Sequence, residues 1–334
     1  MGRKNLIINK FNKLFKKATF RVIVICFAVL GVGALWQNHM SETETNKFEP
    51  PGQIVNVNNH KMHIYAKGEG SPTVVFTTGS GTPCAYTDYY FIQKELQKTV
   101  RTVTYDRFGF GWSDPTLIPR TIDNQVNDLH KLLKLAGEKS PYILVGHSLS
   151  SLEVIHFAQL YPKEIAGIVL IDGGNPTFYA NYSEMVALTS NSFFRGLRKT
   201  GFIRAIGTIG IFPPLVGESL RYKLLPEELQ QLDKVMFYNM LGNEFNRNAL
   251  KNINENAKKV IVNGKLGNIP LNILTAGEDE SWKQSQIELK DWSSNSKQEY
   301  IKEANHYIHW SNSNIVIDRI KELVDEFKSS VQVN

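Results

Sequence analysis

The run "YILVGHSLSSLEVIHFA", residues 142–158, passes from an apolar stretch through Gly146-His147-Ser148-Leu149-Ser150 into a helical pattern. A strand that reverses into a helix at a serine lifts the hydroxyl clear of the sheet edge, while Asn or Asp would serve a purely structural turn. The Leu149 backbone N–H, in the first turn of that helix, points at the same spot and can stabilise a developing oxyanion. Ser150 stands where such elbows carry a second glycine for close backbone approach, so some strain is expected there.

A serine nucleophile needs a base, and the chain holds eight histidines. His306 falls between the last strand pattern and the last helix, at the sheet edge where Ser148 emerges. His309 lies three residues deeper into the following segment. His147 is turned away from the Ser148 hydroxyl by the elbow and is expected to line the pocket. His60 and His63 sit in a hairpin, where a solvated or packed ring is the default. "HYIH" has the look of a metal pair, but nothing nearby completes a ligand set, and no metal is expected.

The base in turn needs a carboxylate to fix its tautomer. Asp172 ends the apolar run "GIVLID" directly after the nucleophile unit, and Glu278, Asp279 and Glu280 fill the loop after "LNILTAG". Both loops open at the carboxyl ends of strands, where ligands bind in parallel sheets. The residues alone leave both open: three adjacent carboxylates also suit a solvated turn, and Asp172 also suits a cap before "GGNP". A second oxyanion donor is expected from "TTGSGTP", with Gly79 allowing close approach and the Ser80 N–H as donor. As a phosphate loop the same "GSG" lacks the further glycines and the Lys-Ser/Thr pair.

The elements that must position these residues alternate. "TVVF", "VTY", "ILVG" and "IVLI" are nearly all apolar, as strands covered on both faces must be. Helical patterns over 86–96, 121–135 and 148–160 separate them, which predicts an α/β fold with a mostly parallel sheet and crossovers. Two short strands joined at Asn58-Asn59 precede this core. Residues 174–265 break the rhythm with amphipathic helical pieces and the run "GFIRAIGTIGIFPPLVG". A strand at "IPLNILT", a helix over 282–292, a last strand within "KQEYIKEANHY" and a terminal amphipathic helix resume it. Neither flank closes a sheet alone, so one core, 53–173 with 266–334, carries a helical cap at 174–265.

Charge and hydropathy set the ends. Seven of the 38 basic residues lie in 1–21 with no acidic residue, leaving 31 against 32 acidic residues elsewhere. The net charge of +6 therefore belongs to the N-terminus, and no nucleic-acid groove is expected. "VIVICFAVLGVGALW", 22–36, follows. Extended back to Ala18 by a snorkelling Arg21, it makes a membrane span with Trp36 at the interface. The positive-inside bias keeps 1–21 in the cytoplasm and exports the rest. A cleaved signal with secretion is the rival, but "VGALWQNHM" is a poor cleavage site. Residues 37–52, polar and ending in Pro50-Pro51, are expected as a linker. With Cys26 in the apolar run, Cys84 has no partner in the exported part, so the core must hold itself.

Assembled, residues 52–328 resemble the α/β-hydrolase superfamily. "YDRFGFGWSD" (105–114) looks like the loop after its fourth strand, "GHSL" matches its commonest elbow, and "ANHYIH" is similar to its catalytic-histidine segment, with Asn305 where glycine is usual. The resemblance implies the α/β-hydrolase fold, acyl transfer and a cap over the site. In most members the acid follows the seventh strand, pointing to Asp279 or Glu280. A subset places it after the sixth, and "IDGGNP" resembles that arrangement, as do "ILTAG…W" and "NHYIH". Asp172 is therefore taken as the acid, with Asp279 or Glu280 as alternatives. Members that open epoxides or break carbon–halogen bonds use an aspartate nucleophile, against which Ser148 argues.

The expectation is a membrane-anchored serine hydrolase of small-molecule, apolar esters that needs no cofactor. The apolar run of the cap suggests a hydrophobic acyl or alcohol portion, or simply packing. An aminopeptidase would need cap carboxylates, for which Glu184, Glu218, Glu227 and Glu228 are available. A non-catalytic sensor or scaffold would be expected to break the triad. The oligomeric state is not written in these residues.

Overall fold

The computed structural model describes residues 2–45, 47–209, 218–276 and 280–332. A long helix, α1 (Gly2–Thr45), leads into the hairpin β1 (Gln53–Val57) and β2 (His60–Lys67). Asn58 and Asn59 both take positive φ, 53° and 65°, the two-residue turn whose twist matches paired strands. Then come β3 (Thr73–Thr77), α2 (Ala85–Asp88), α3 (Tyr90–Leu96), β4 (Thr102–Tyr105), α4 (Ile122–Leu135), β5 (Tyr142–His147), α5 (Ser151–Leu160) and β6 (Ile165–Ile171). Among the described residues, the helices that follow are α6 (Pro176–Ala180), α7 (Glu184–Lys199), α8 (Phe202–Thr208), α9 (Glu218–Leu224), α10 (Glu227–Met240), α11 (Glu244–Leu250) and α12 (Ile253–Val262). The chain closes with β7 (Leu271–Thr275), α13 (Glu280–Ile287), β8 (Ser296–Tyr300), α14 (Ile308–Ser311) and α15 (Ser313–Gln332).

These strands form one eight-stranded sheet in the order β1-β2-β4-β3-β5-β6-β7-β8. β1–β2 and β2–β4 pair antiparallel, and every other pair is parallel. The unbroken apolar runs have their cause in two cores. Val75, Leu144, Ile168 and Ile273 face one cluster with Leu129 and Leu132 of α4 and Phe157 of α5. Phe76, Val145, Val169 and Leu274 face the other, with Leu96 of α3 and Ile320 and Leu323 of α15. Each fully buried aliphatic side chain contributes about 1.5–3 kcal/mol, so the strand carrying the elbow is held from both faces.

Two boundaries differ from the sequence reading. The stretch expected as a linker continues α1 to Thr45 and docks on the inserted helices: Gln37 Nε2 donates to Tyr238 O at 3.0 Å, and Ser41 Oγ to Asn239 Oδ1 at 2.7 Å. Its polar residues meet polar partners instead of water. The last inserted helix, α12, belongs to the core rather than the cap, because Ile253, Ala257 and Val260 pack in the same cluster as Phe157. The apolar run of the cap has Ile203 buried against Phe237 and Tyr238, which is packing; its part at 210–217 lies outside the described residues.

Candidate active site

Ser148 leaves β5 with φ of 55° and opens a short 3-10 turn, Ser148–Ser150, into α5. A left-handed serine costs about 1–2 kcal/mol and persists only where packing enforces it. The packing is visible on both sides. A Cβ on Gly79 would lie 2.7 Å from His147 Nδ1, so the glycine-rich loop lies directly against the elbow. Ser150, buried and relaxed (φ −68°), donates its hydroxyl to Thr77 O and His147 O at 2.9 and 2.8 Å. Serine in the second glycine position therefore stitches the elbow to β3 rather than straining it.

Among the described residues, Asp172 is the carboxylate bonded to His306. Asp172, φ 43°, follows β6 and is buried. His306 Nδ1 donates to its Oδ2 at 2.6 Å, and Trp282 Nε1 to the same oxygen at 3.0 Å. Ala276 N and Gln286 Nε2 donate to Oδ1 at 2.9 and 2.6 Å. Four donors converge on its two oxygens and fix its orientation toward one histidine nitrogen. Glu280 is exposed and paired with Lys283 at 3.5 Å, away from His306; Asp279 lies outside the described residues.

Ser148, Asp172 and His306 all line one cavity of about 730 Å³. His147 departs from its expected place. It is buried behind the cavity wall, and its Nε2–H donates to the His306 carbonyl at 3.0 Å. Burial, then His309 and His306, hold its pKa well below the usual value, so it stays neutral and steadies the loop that carries His306. His309 is also buried, 3.4 Å from Asp88 Oδ1 and remote from the Asp172 bond. His63 is packed, bonded to Asp106 at 2.7 Å.

Ser80 lines the cavity and donates its hydroxyl to Asn246 Oδ1 at 2.9 Å, while Asn246 Nδ2 donates to Asn191 Oδ1 at 2.8 Å. The glycine-rich loop is thus tied to α11 and α7 above it. From below, Arg107 Nη1 donates to Thr78 O at 2.8 Å and Arg107 Nε to Glu153 at 2.8 Å, which joins that loop to α5. This gives "YDRFGFG" its work: through Arg107 it fixes the glycine-rich loop relative to the helix that follows Ser148.

Tyr179, on α6, was not singled out from sequence. It is buried, lines the cavity, and its hydroxyl interacts with Ser148; burial pushes the phenol well up and the Ser148 interaction opposes it, so the phenol stays neutral. Trp282 and Gln286 were also missed. Their positions on α13, four apart, share one helix face turned to Asp172. Most of the remaining lining is apolar and aromatic, including Phe178, Phe194, Phe237, Leu241 and Leu250, with Ser190 polar. Among the described residues, Asp172 is the one carboxylate in the lining, and no cluster of three or more His, Cys, Asp or Glu is placed to hold a metal.

A family model described as alpha/beta hydrolase fold matches residues 72–313. The chain is 28% identical to the uncharacterized protein YbdG of Bacillus subtilis (strain 168), over 79% of this chain and 83% of that one. Its structure is similar to that of an epoxide hydrolase from Bacillus megaterium, with TM-score 0.64 and 18% identity, covering 82% of this chain and 100% of that one. It is likewise similar to an enol-lactonase from Burkholderia xenovorans LB400, with TM-score 0.64, 15% identity and the same coverage. At these identities the likeness to solved structures is one of fold.

Proposed function

From the premise that this chain belongs to the alpha/beta hydrolase fold family, we propose that it cleaves carboxylic esters through an acyl-enzyme on Ser148. The observation that carries this reading is the 2.6 Å bond from His306 Nδ1 to Asp172, on the wall of the cavity that also holds Ser148. His306 takes the Ser148 proton as the oxygen attacks the ester carbonyl, and Asp172 stabilises the imidazolium. The Leu149 and Ser80 amides receive the oxyanion. The ester C–O bond breaks, the alcohol leaves with the proton from His306, and a water activated by His306 releases the acid. Opening an epoxide with Ser148 would instead leave an alkyl ether, which has no carbonyl for that water to attack.

The cavity favours an apolar acyl or alcohol part. The aminopeptidase reading weakens because, among the described residues, no carboxylate besides Asp172 lines the cavity to receive a substrate amine. Glu227 and Glu228 are exposed, Glu184 accepts from Asn254 N, and the side chain of Glu218 lies outside the described residues. The sensor or scaffold reading weakens because His306 bonds to Asp172 on a cavity that Ser148 also lines. The test is a panel of p-nitrophenyl esters against aminoacyl p-nitroanilides. The expected kcat/KM rises about three- to fourfold per added acyl methylene until the cavity fills, at about 0.8 kcal/mol each. Faster turnover of the anilides would overturn the ester reading.

Tyr179 is assigned to the acyl transfer as a donor beside Ser148. Tyr179→Phe is expected to lower kcat about tenfold with KM changed less than about twofold. Equal kcat in steady-state hydrolysis of a soluble ester would reduce the residue to packing.

We also assign α1 as a single-pass anchor with the N-terminus in the cytoplasm and the hydrolase outside. One helix among the described residues, Asn12–Glu44, is long and apolar enough to cross a membrane. Its apolar part is exposed from Val22 to Val32 and half-buried at Gly33, Ala34 and Trp36, and the basic residues of 1–21 all precede that part.

A further inference from the structure

We propose that the cap lies on the bilayer beside the anchor and that the cavity takes an acyl-bearing lipid ester from that surface. The proposal rests on the ester-hydrolase and anchor readings above and adds a docking surface and a substrate class.

The anchor does not end in a flexible tether. From Gly33 onward α1 packs on the inserted helices. A Cβ on Gly33 would collide with Thr200 O, and one on Gly201 (φ 72°) would lie 2.5 Å from Gly33 O, so two backbones meet at a contact that only glycines permit. Above it, Gln37 Oε1 accepts from Arg204 Nε at 2.9 Å and Glu44 from Arg204 Nη1 at 2.6 Å, with Arg204 buried. These bonds fix the height of the cap on the helix. Gly33 stands three residues before Trp36, the last residue of the apolar run, so Thr200 and Gly201 sit at the level of the span's last turn. That level is the boundary between acyl chains and headgroups.

An apolar surface starts at this contact and leads to the cavity. Phe202, next to Gly201, is 51% exposed. On α7, residues seven apart share a helix face, which puts Val186, Phe193 and Thr200 on one stripe. Thr200 touches the anchor, Phe193 is 61% exposed, and Val186 is 60% exposed while also lining the cavity. Met185, beside Val186, is exposed as well, and exposed Lys199 stands at the anchor end, where it can meet phosphate headgroups. Single exposed hydrophobic residues need no cause, but a stripe continuous at one end with a membrane helix and at the other with an apolar cavity has one. A lipid whose headgroup stays at the interface can pass its acyl ester along α7 to Ser148. The chemistry is unchanged: the acyl C–O bond breaks, the lipid alcohol leaves with a proton, and water releases the fatty acid.

The test uses the full chain in phosphatidylethanolamine–phosphatidylglycerol vesicles. A Cys26→Ala background, with buried Cys84 left in place, carries one environment-sensitive fluorophore through Leu35→Cys, Phe193→Cys, Phe202→Cys or Leu117→Cys. Leu117, 99% exposed, is the solvent reference. Expected are blue-shifted emission and quenching by bromine-labelled lipid chains at 35, 193 and 202, and neither at 117. Quenching at 35 but not at 193 and 202 would overturn the cap inference and leave the anchor reading standing. No quenching at 35 would overturn the anchor reading and the inference with it. A blue shift at 193 that ignores brominated lipid and follows protein concentration would assign the stripe to a second copy, against the proposal.

A second arm reads activity. Phe193→Asp/Phe202→Asp is expected to cut hydrolysis of a vesicle-embedded diacylglycerol about tenfold or more while soluble p-nitrophenyl acetate turns over within about twofold of the parent. Equal loss on both substrates would overturn the proposal. A parent inactive on both would defeat the ester-hydrolase reading, which the quenching arm does not depend on.

Discussion

Replacing Ser148 or His306 by alanine is expected to lower kcat on a soluble ester by about 10⁴–10⁶-fold, and the double substitution by no more than either alone. The two groups act as a unit: without the base the hydroxyl is a poor nucleophile, and without the hydroxyl the base has no proton to move. What survives is the work of the oxyanion donors and of binding. In Ser148→Ala the new side chain keeps a Cβ at φ 55°, so the backbone strain stays and the melting temperature should match the parent. Labelling by a fluorophosphonate should vanish in both variants. Ester turnover that survives Ser148→Ala would remove the acyl-enzyme.

Asp172→Asn is expected to cost about 10³–10⁴-fold in kcat, comparable to breaking the tautomer control of any such histidine. Asp172 accepts from four donors, two on each oxygen. An asparagine offers one oxygen and must point an NH₂ at the other pair. If it faces His306, the ring is driven to the tautomer whose Nε2 already bears hydrogen and cannot accept the serine proton. If it faces Ala276 and Gln286, a buried donor meets donors, costing about 1–3 kcal/mol of stability. Asp279→Asn and Glu280→Gln should leave kcat within about twofold of the parent. A loss at Asp279 as large as that at Asp172 would move the acid to the later loop.

Much of this site was legible because its signals are local. Ser148 and Leu149 sit in one strand–turn–helix unit, and the alternation of buried strands and helices placed that unit in a parallel sheet. The acid was not legible. Its choice depends on Trp282 and Gln286, which approach Asp172 from a helix more than a hundred residues away, and no spacing within "IDGGNP" encodes that approach. His147 was misplaced for a similar reason: the elbow says where a side chain does not point, while the carbonyl of His306 decides where it does. Residues 37–45 read as a linker because polarity after an apolar run usually means water. Here the polar groups of Gln37, Ser41 and Glu44 are matched by Tyr238, Asn239 and Arg204.

That match changes the frame of reference for any opening of the enzyme. A lid is ordinarily pictured swinging on a stationary core. Here Gln37, Ser41 and Glu44 hold the inserted helices to α1, and the core follows that helix in the chain, beginning at β1. For a chain moored by α1 the lid is the stationary body, and any opening moves the eight-stranded sheet, with Ser148 and His306, against a fixed roof once bonds such as Ser80–Asn246 and Asn243–Gly109 give way. Release of product would then be a nodding of the core, resisted by viscous water rather than by lipid.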